Sequence, residues 1–258
     1  MGSHSDPGLP IGVFDSGVGG LTVLSALQRA LPKEDFLYFG DTARVPYGSK
    51  PLEMVRRFAW EISGYLIHQG VKAIVVACNT ASSAALPELS GSLSVPVFNV
   101  LEPAVAEAKA VGGQVGLIGT EGTIKSGSYQ KQFDEEIWSK ACALFVPIVE
   151  EGLWADAVAK RVADYYLHDA PKDLGTLILG CTHYPFLKPV IGEVLPGVRL
   201  IDSAEATAKV VKAGIKKNPA GAGSVKHFVT GDLEAYTVLA RRLGVEVQQA
   251  ERVPLDEL

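Results

Sequence analysis

Ala73-Ile-Val-Val-Ala-Cys78-Asn-Thr80 and Thr176-Leu-Ile-Leu-Gly-Cys181-Thr-His183 share one pattern: an apolar run, a small residue, a cysteine, then two hydrogen-bonding residues. Short β-branched runs of this kind read as buried strands. The two cysteines lie 103 positions apart, about the length of one small domain. Duplicated halves are the natural inference. In an open α/β sheet a ligand sits beyond the carboxyl ends of the strands, and both cysteines fall at such ends. So do Asp15, after Ile11 to Phe14, and Thr120, after Val115 to Ile118. Two halves facing each other across a cleft would flank one small molecule with a pair of thiols.

Working outward, further strands are expected at Phe36 to Phe39, Val95 to Phe98, Leu144 to Val146, Arg199 to Ile201 and Lys226 to Val229. Leu52 to Gln69 carries Met54, Val55, Phe58, Ile62, Tyr65 and Leu66 at spacings of three and four, which makes one buried helical face. Trp154 to Leu167 reads the same way. Strands alternating with helices point to βα units and parallel sheets. The expected fold is therefore α/β: two similar open parallel-sheet, flavodoxin-like domains related by pseudo-symmetry, with the active site between them. The first domain is expected at 11–98 plus about 208–258, because residues 225–243 read as a strand and helix returning to the first half after a Gly221-Ala-Gly-Ser224 linker. The second is expected at 99–207. Residues 1–10, MGSHSDPGLP, lack the features of a secretory signal and are left outside the fold as a leader.

Composition bounds the function without choosing it. With 47% hydrophobic and 21% charged residues, the 258-residue chain has an ordinary globular profile. A net charge of -5 gives no support to nucleic-acid binding. An acidic substrate would have to be held by local donors, such as backbone N–H groups and hydroxyls. No apolar run approaches the roughly 18 to 20 residues that span a bilayer, so no membrane association is expected. Three cysteines, Cys78, Cys142 and Cys181, are too few and too scattered for a disulfide framework and fit free thiols in the cytoplasm. Their spacing does not suit structural zinc, and no metal is expected.

Inverting a stereocentre without a cofactor needs one group to take a proton from one face and another to return a proton to the opposite face. Cysteine suits both tasks, since its ordinary pKa of about 8.5 lies near working pH. A single cysteine is more often a small buried hydrophobe, but the matched contexts of Cys78 and Cys181 favour chemistry. Cys142, in Ala141-Cys-Ala-Leu144, enters an expected strand and keeps the packing reading. Asp15 and Ser16 precede Gly17-Val-Gly-Gly20 and a helix from about Leu21 to Leu31. They can cap that helix, with the glycines permitting a tight turn, or face a ligand. The full G-x-G-x-x-G pattern is absent, which disfavours a dinucleotide. His183 is either a structural imidazole or a group tuning the Cys181 thiol, and Asp15 could act on Cys78 in a corresponding way.

These residues stand in order within longer motifs: Ile11-Gly-Val-Phe-Asp-Ser-Gly-Val-Gly-Gly20, Gly40-Asp-Thr-Ala-Arg-Val-Pro-Tyr-Gly-Ser49, Val76-Ala-Cys-Asn-Thr-Ala-Ser82, Gly119-Thr-Glu-Gly-Thr-Ile-Lys-Ser126, Phe145-Val-Pro-Ile-Val-Glu-Glu-Gly152, Leu179-Gly-Cys-Thr-His-Tyr-Pro-Phe-Leu187 and Ile201-Asp-Ser203. On these motifs the chain resembles the glutamate racemase family, within the wider aspartate/glutamate racemase superfamily. Gly122 departs from relatives that often carry alanine, which touches no catalytic assignment.

The resemblance implies cofactor-independent racemisation of glutamate, supplying D-glutamate for peptidoglycan, without pyridoxal phosphate or metal, by a cytoplasmic homodimer. It implies Cys78 and Cys181 as the two bases, serving the D- and L-enantiomer respectively, with Asp15 and His183 as polar assistants. A glutamate at the position of Glu150 assists in some relatives, and a solvated loop carboxylate fits Glu150 as well. Substrate contacts carry over to Asp15, Ser16, Tyr47, Gly48, Asn79, Thr80, Thr182 and His183, with Pro46, Thr120 and Thr123 beside them. Alternatives are an aspartate or hydantoin racemase of the same superfamily and a binding role restraining DNA gyrase. A thiol oxidoreductase would want a C-x-x-C pair, which is absent.

Overall fold

The computed structural model describes residues 6–258, the Pro87 side chain excepted. Its strands are β1 (Ile11–Asp15), β2 (Phe36–Gly40), β3 (Ala73–Val76), β4 (Val97–Asn99), β5 (Gln114–Gly119), β6 (Trp138–Ala141), β7 (Leu174–Gly180), β8 (Arg199–Asp202), β9 (Val225–Val229) and β10 (Ala250–Arg252). Its helices are α1 (Leu21–Ala30), α2 (Leu52–His68), α3 (Asn79–Ser92), α4 (Leu101–Val111), α5 (Glu121–Ser126), α6 (Phe145–Glu150), α7 (Ala157–Leu167), α8 (Lys188–Val194), α9 (Ser203–Gly214) and α10 (Leu233–Arg242). None of these helices is long and apolar enough to cross a membrane.

β1 and β3 are buried along their whole length, as parallel strands covered by helices on both faces must be. The strands form two all-parallel sheets, ordered β10-β9-β2-β1-β3-β4 and β6-β5-β7-β8. Stripped of β9 and β10, the first sheet has the order second, first, third, fourth. The other sheet has the same order. β3 and β7 are thus equivalent strands, and the cysteines that follow them are equivalent positions. The duplication inferred from the two cysteine segments is a duplication of topology.

Register then sets the neighbours. Phe14 pairs with Val76, and the Ala77 N–H donates to the Phe14 carbonyl at 2.8 Å, which brings Asp15-Ser16 beside Cys78. In the second sheet Gly119 pairs with Gly180, which sets Thr120 beside Cys181. The halves meet where α1 packs on α9 and α3 on α5.

Three expectations are corrected. Leu144 to Val146 is not a strand: the sixth strand is Trp138–Ala141, and Phe145–Glu150 is helical with Phe145, Ile148 and Val149 on its buried side. Cys142 consequently leaves a strand rather than entering one, and it is fully buried. Residues 6–10 do not stand outside the fold. The Pro7 carbonyl accepts from Lys72 Nζ at 2.6 Å, and the Pro10 carbonyl from the Lys72 backbone N–H at 2.9 Å. Residues 1–5 of the expected leader lie outside the described residues.

Lys72 is also one half of a buried ion pair. Its Nζ lies 2.5 Å from Glu34 Oε2 and donates to the Lys216 carbonyl at 3.1 Å, while Glu34 Oε1 accepts from the Asn218 N–H at 2.7 Å. This pair fastens the connection between α9 and β9 to the amino-terminal ends of β2 and β3.

Candidate active site

Cys78 is the N-cap of α3, where unpaired backbone N–H groups favour negative charge. Its Sγ accepts from the Ala81 N–H at 3.4 Å, and its thiol donates to Ser16 Oγ at 3.8 Å. Burial nevertheless pushes the thiol up to about 12, and the charge of Asp15 adds to that push against the two hydrogen bonds. Asp15 itself is fully buried. One carboxylate oxygen accepts from the Gly17 N–H at 2.9 Å and the other has no partner among the described residues. Burial raises this carboxyl above the usual range, opposed by the Gly17 bond and by His183.

The opposite wall is built differently. Cys181 Sγ lies 3.8 Å from His183 Nδ1, and His183 Nε2 lies 3.1 Å from Glu150 Oε1. Burial alone would push the imidazole down, but its bonds to Cys181 and Glu150 outweigh burial and raise it to about 10. The protonated form of the ring is favoured there, held between a sulfur and a carboxylate. Two glycines let the halves close to this distance. A Cβ on Gly19 would stand 2.3 Å from Thr182 Oγ1, and one on Gly48 would stand 2.6 Å from Thr120 Cβ. Only a residue without a side chain allows either approach.

Between the walls lies a cavity of about 410 Å³ lined by both Cys78 and Cys181. Ser16, Pro46, Tyr47, Gly48, Asn79, Thr80, Thr120, Glu150, Thr182 and His183 complete the part of the lining expected from sequence. Thr80 Oγ1 lies 2.9 Å from Thr120 Oγ1 and 3.3 Å from Thr123 Oγ1, a cluster of three hydroxyls shared between the halves. Neither lysine nor arginine is among the lining residues, so donors for an anion are N–H groups, hydroxyls, the Asn79 amide and His183.

Two expected substrate contacts stand behind the wall: Asp15 and Thr123 are fully buried and do not line the cavity. Asp15 reaches the cavity through Cys78, and Thr123 through Thr80 and Thr120. Tyr47 is among the lining residues, but its hydroxyl donates to Asp41 Oδ2. Glu150 is the last residue of α6, not a loop carboxylate, and is bonded to His183. The sequence reading missed Val45, Ala143, Val146 and Pro147, which are apolar members of the lining. It also missed the fully buried Tyr129, whose hydroxyl donates to Asn79 Oδ1. Val146 belongs to the segment misread as a strand and Pro147 follows it directly, and nothing in the periodicity marks Tyr129.

A family model described as Asp/Glu/Hydantoin racemase matches residues 11–211. The chain is 66% identical over 257 residues to the glutamate racemase of Thermus thermophilus, covering 98% of this chain and 99% of that one. The crystal structure of that organism's enzyme in complex with β-chloro-D-alanine superposes with a TM-score of 0.96, covering 98% of this chain and 100% of the other. The glutamate racemase of Francisella tularensis, in complex with D-glutamate, is 36% identical and superposes with a TM-score of 0.92 over 98% of this chain and 100% of its own. With two equivalent thiols on one cavity and these likenesses over nearly the whole chain, the protein belongs to the glutamate racemases of the Asp/Glu/Hydantoin racemase family.

Proposed function

We infer that this protein interconverts L- and D-glutamate by moving a proton between two thiols. The observation that carries the reading is that Cys78 and Cys181 line one cavity from equivalent strand ends of two sheets with the same strand order. One cysteine, as thiolate, takes the α-hydrogen as a proton and becomes a thiol. The bonding pair stays on the α-carbon and delocalises into its carboxylate. The facing thiol then delivers its proton to the other side of that carbon and is left as a thiolate. Charge and protons balance, and the enzyme returns to its starting form by the reverse turnover or by exchange with water.

A thiolate is a weak base for an α-hydrogen, so the developing carbanion must be stabilised by donors already in place. Asn79, Thr80, Thr120, Thr182 and the N–H groups around Ser16 and Gly48 are suited to hold the substrate carboxylates. Imidazolium at His183 attracts the negative charge that develops at Cys181, and Glu150 orients the ring. Asp15 and Ser16 serve Cys78. In the family's sense, Cys78 acts on the D-enantiomer and Cys181 on the L-enantiomer.

This reading calls for no cofactor and no metal. It takes the protein as a cytoplasmic homodimer without nucleic-acid or membrane contacts, supplying D-glutamate for peptidoglycan. It also divides the chain at 11–98 with about 208–258, and 99–207. The supporting observation is that β9 and β10 join the first sheet, although α9 runs unbroken through residue 208. Circular dichroism of L-glutamate incubated with purified protein, chelator and no added cofactor tests the reaction. Decay of the signal to zero is expected, and the same decay in mirror image from D-glutamate. A signal that decays only after pyridoxal phosphate or metal is added would remove the two-thiol reading.

A further inference from the structure

Asn79 is among the residues that line the cavity, and one end of its amide is tied. The side chain is 2% exposed and lines the cavity. Its Oδ1 accepts from the Tyr129 hydroxyl, while its Nδ2 is buried with no partner among the described residues. A side-chain amide carries two donors on nitrogen and acceptor capacity on oxygen. With the oxygen engaged, only donors remain for an occupant.

The tie crosses between the halves. Asn79 opens α3 beside Cys78, whereas Tyr129 comes from the turn after α5. Tyr129 is fully buried and absent from the cavity lining, so it does not touch an occupant. Burial keeps its phenol protonated, and the charges of Cys181 and Cys78 act in the same direction. A protonated phenol has one hydrogen to give, and here Asn79 Oδ1 receives it. The two ends of an amide are nearly equal in size, so nothing steric stops Asn79 from turning over. A turned amide would face a carboxylate with oxygen, acceptor against acceptor.

We propose that Tyr129 is a positioning residue that fixes the Asn79 amide with its N–H donors toward the cavity, so that this point of the site accepts a carboxylate of the substrate. The inference rests on the glutamate reading above and deepens it: carboxylate recognition is set by a hydrogen bond from a residue that never meets the substrate. Ordering of the Ser128-Tyr129 turn against α3 and readiness of the cavity for an anion are thereby one event. Ser128 Oγ, which donates to the Ser83 carbonyl at 2.9 Å, holds the same turn to the same helix.

A double-mutant cycle tests this, reading the dissociation constant for equilibrated D,L-glutamate by calorimetry beside KM and kcat. Asn79→Ala should weaken binding roughly 10- to 100-fold, the range of one charge-assisted hydrogen bond. Tyr129→Phe should weaken it about tenfold, in KM rather than kcat, and should cost nothing further in the Asn79→Ala background. Independent losses that multiply in the double variant would overturn the proposal, as would a Tyr129→Phe protein that binds normally. Asn79→Asp covers the case in which Tyr129→Phe does not fold, since it keeps an acceptor for the phenol and removes both donors. It should retain the melting temperature and bind glutamate more weakly than Asn79→Ala; binding like the unchanged protein would overturn the proposal. An unchanged protein that neither binds nor racemises glutamate would remove the functional reading and this inference together, whereas turnover with multiplying losses removes this inference alone.

Discussion

Asp15 stands behind Cys78 and works against the ionisation of that thiol, adding its charge to the effect of burial. The other wall has the opposite character: Cys181 lies against His183, whose bonds to Cys181 and Glu150 favour its protonated form. Two equivalent positions in a duplicated topology have thus acquired unequal electrostatics. One thiol is predisposed to hold its proton, and the other lies beside a ring that favours positive charge.

Removing the Asp15 charge should lower the pH at which Cys78 reacts. In Asp15→Asn the desolvation of the thiol persists but its anionic neighbour is gone, so the thiolate is favoured. Alkylation of Cys78 by iodoacetamide, followed by peptide mass spectrometry across pH, should show its midpoint displaced downward from the unaltered protein's. An unmoved or raised midpoint would mean that the carboxyl is already neutral there.

Stability should carry the signature of His183. Its folded pKa of about 10 lies above the ordinary 6.5, so the folded state binds the proton more tightly. The resulting stabilisation is complete below pH 6.5 and is lost as pH rises toward 10. Denaturant unfolding of the unaltered protein and of His183→Asn should therefore show a gap that narrows between those values. A gap that widens with pH would indicate a neutral buried ring.

Serine in place of either cysteine should abolish racemisation, by roughly a hundredfold or more, because a positioned acid or base contributes on that scale. One half-reaction should survive in each variant. With a glutamate analogue carrying a β-leaving group, Cys78→Ser and Cys181→Ser should eliminate from opposite enantiomers, followed by chiral chromatography of the unreacted analogue. The same enantiomer consumed by both would undo the assignment of the two walls.

Far from the cavity, Lys72→Met should cost about 3 to 5 kcal/mol in urea unfolding, since it leaves Glu34 charged and unpaired in the interior. Replacing both partners, Lys72→Met with Glu34→Leu, should cost less than the single change. Below the melting temperature kcat should be unaltered in either case; equal losses for the single and double variants would show that the pair itself is not the source.

The strands that frame the site could be read from sequence because they are buried on both faces and therefore largely apolar, as at Ala73–Val76 and in the Leu177-Ile-Leu179 run of β7. β6, with Ser139 and Lys140 in a half-buried edge position, offers no such run, and the nearby Leu144-Phe145-Val146 took its place. Three apolar residues in a row suit a strand or the face of a helix equally, and Phe145, Ile148 and Val149 resolve it as a helix only once their burial is seen. β10, Ala250-Glu-Arg252, is exposed and charged, as edge strands often are, and was missed for that reason. At the site, motif order delivered most of the residues that line the cavity. Tyr129 escaped because its part depends on a side chain 50 positions away, a pairing no local pattern encodes.

The return of β9 to the flank of β2 has a consequence for how the protein is made. Phe36 must wait for Val225, 189 positions later, before its outer edge is covered. The second sheet needs only residues 114–202 and is contiguous, so a nascent chain emerging from the ribosome can assemble it while β2 still presents a bare edge. The half that is translated first is therefore the half completed last. Chaperone capture during synthesis should concentrate on the interval before residues 225–252 emerge, when an unpaired parallel edge is most open to wrong partners.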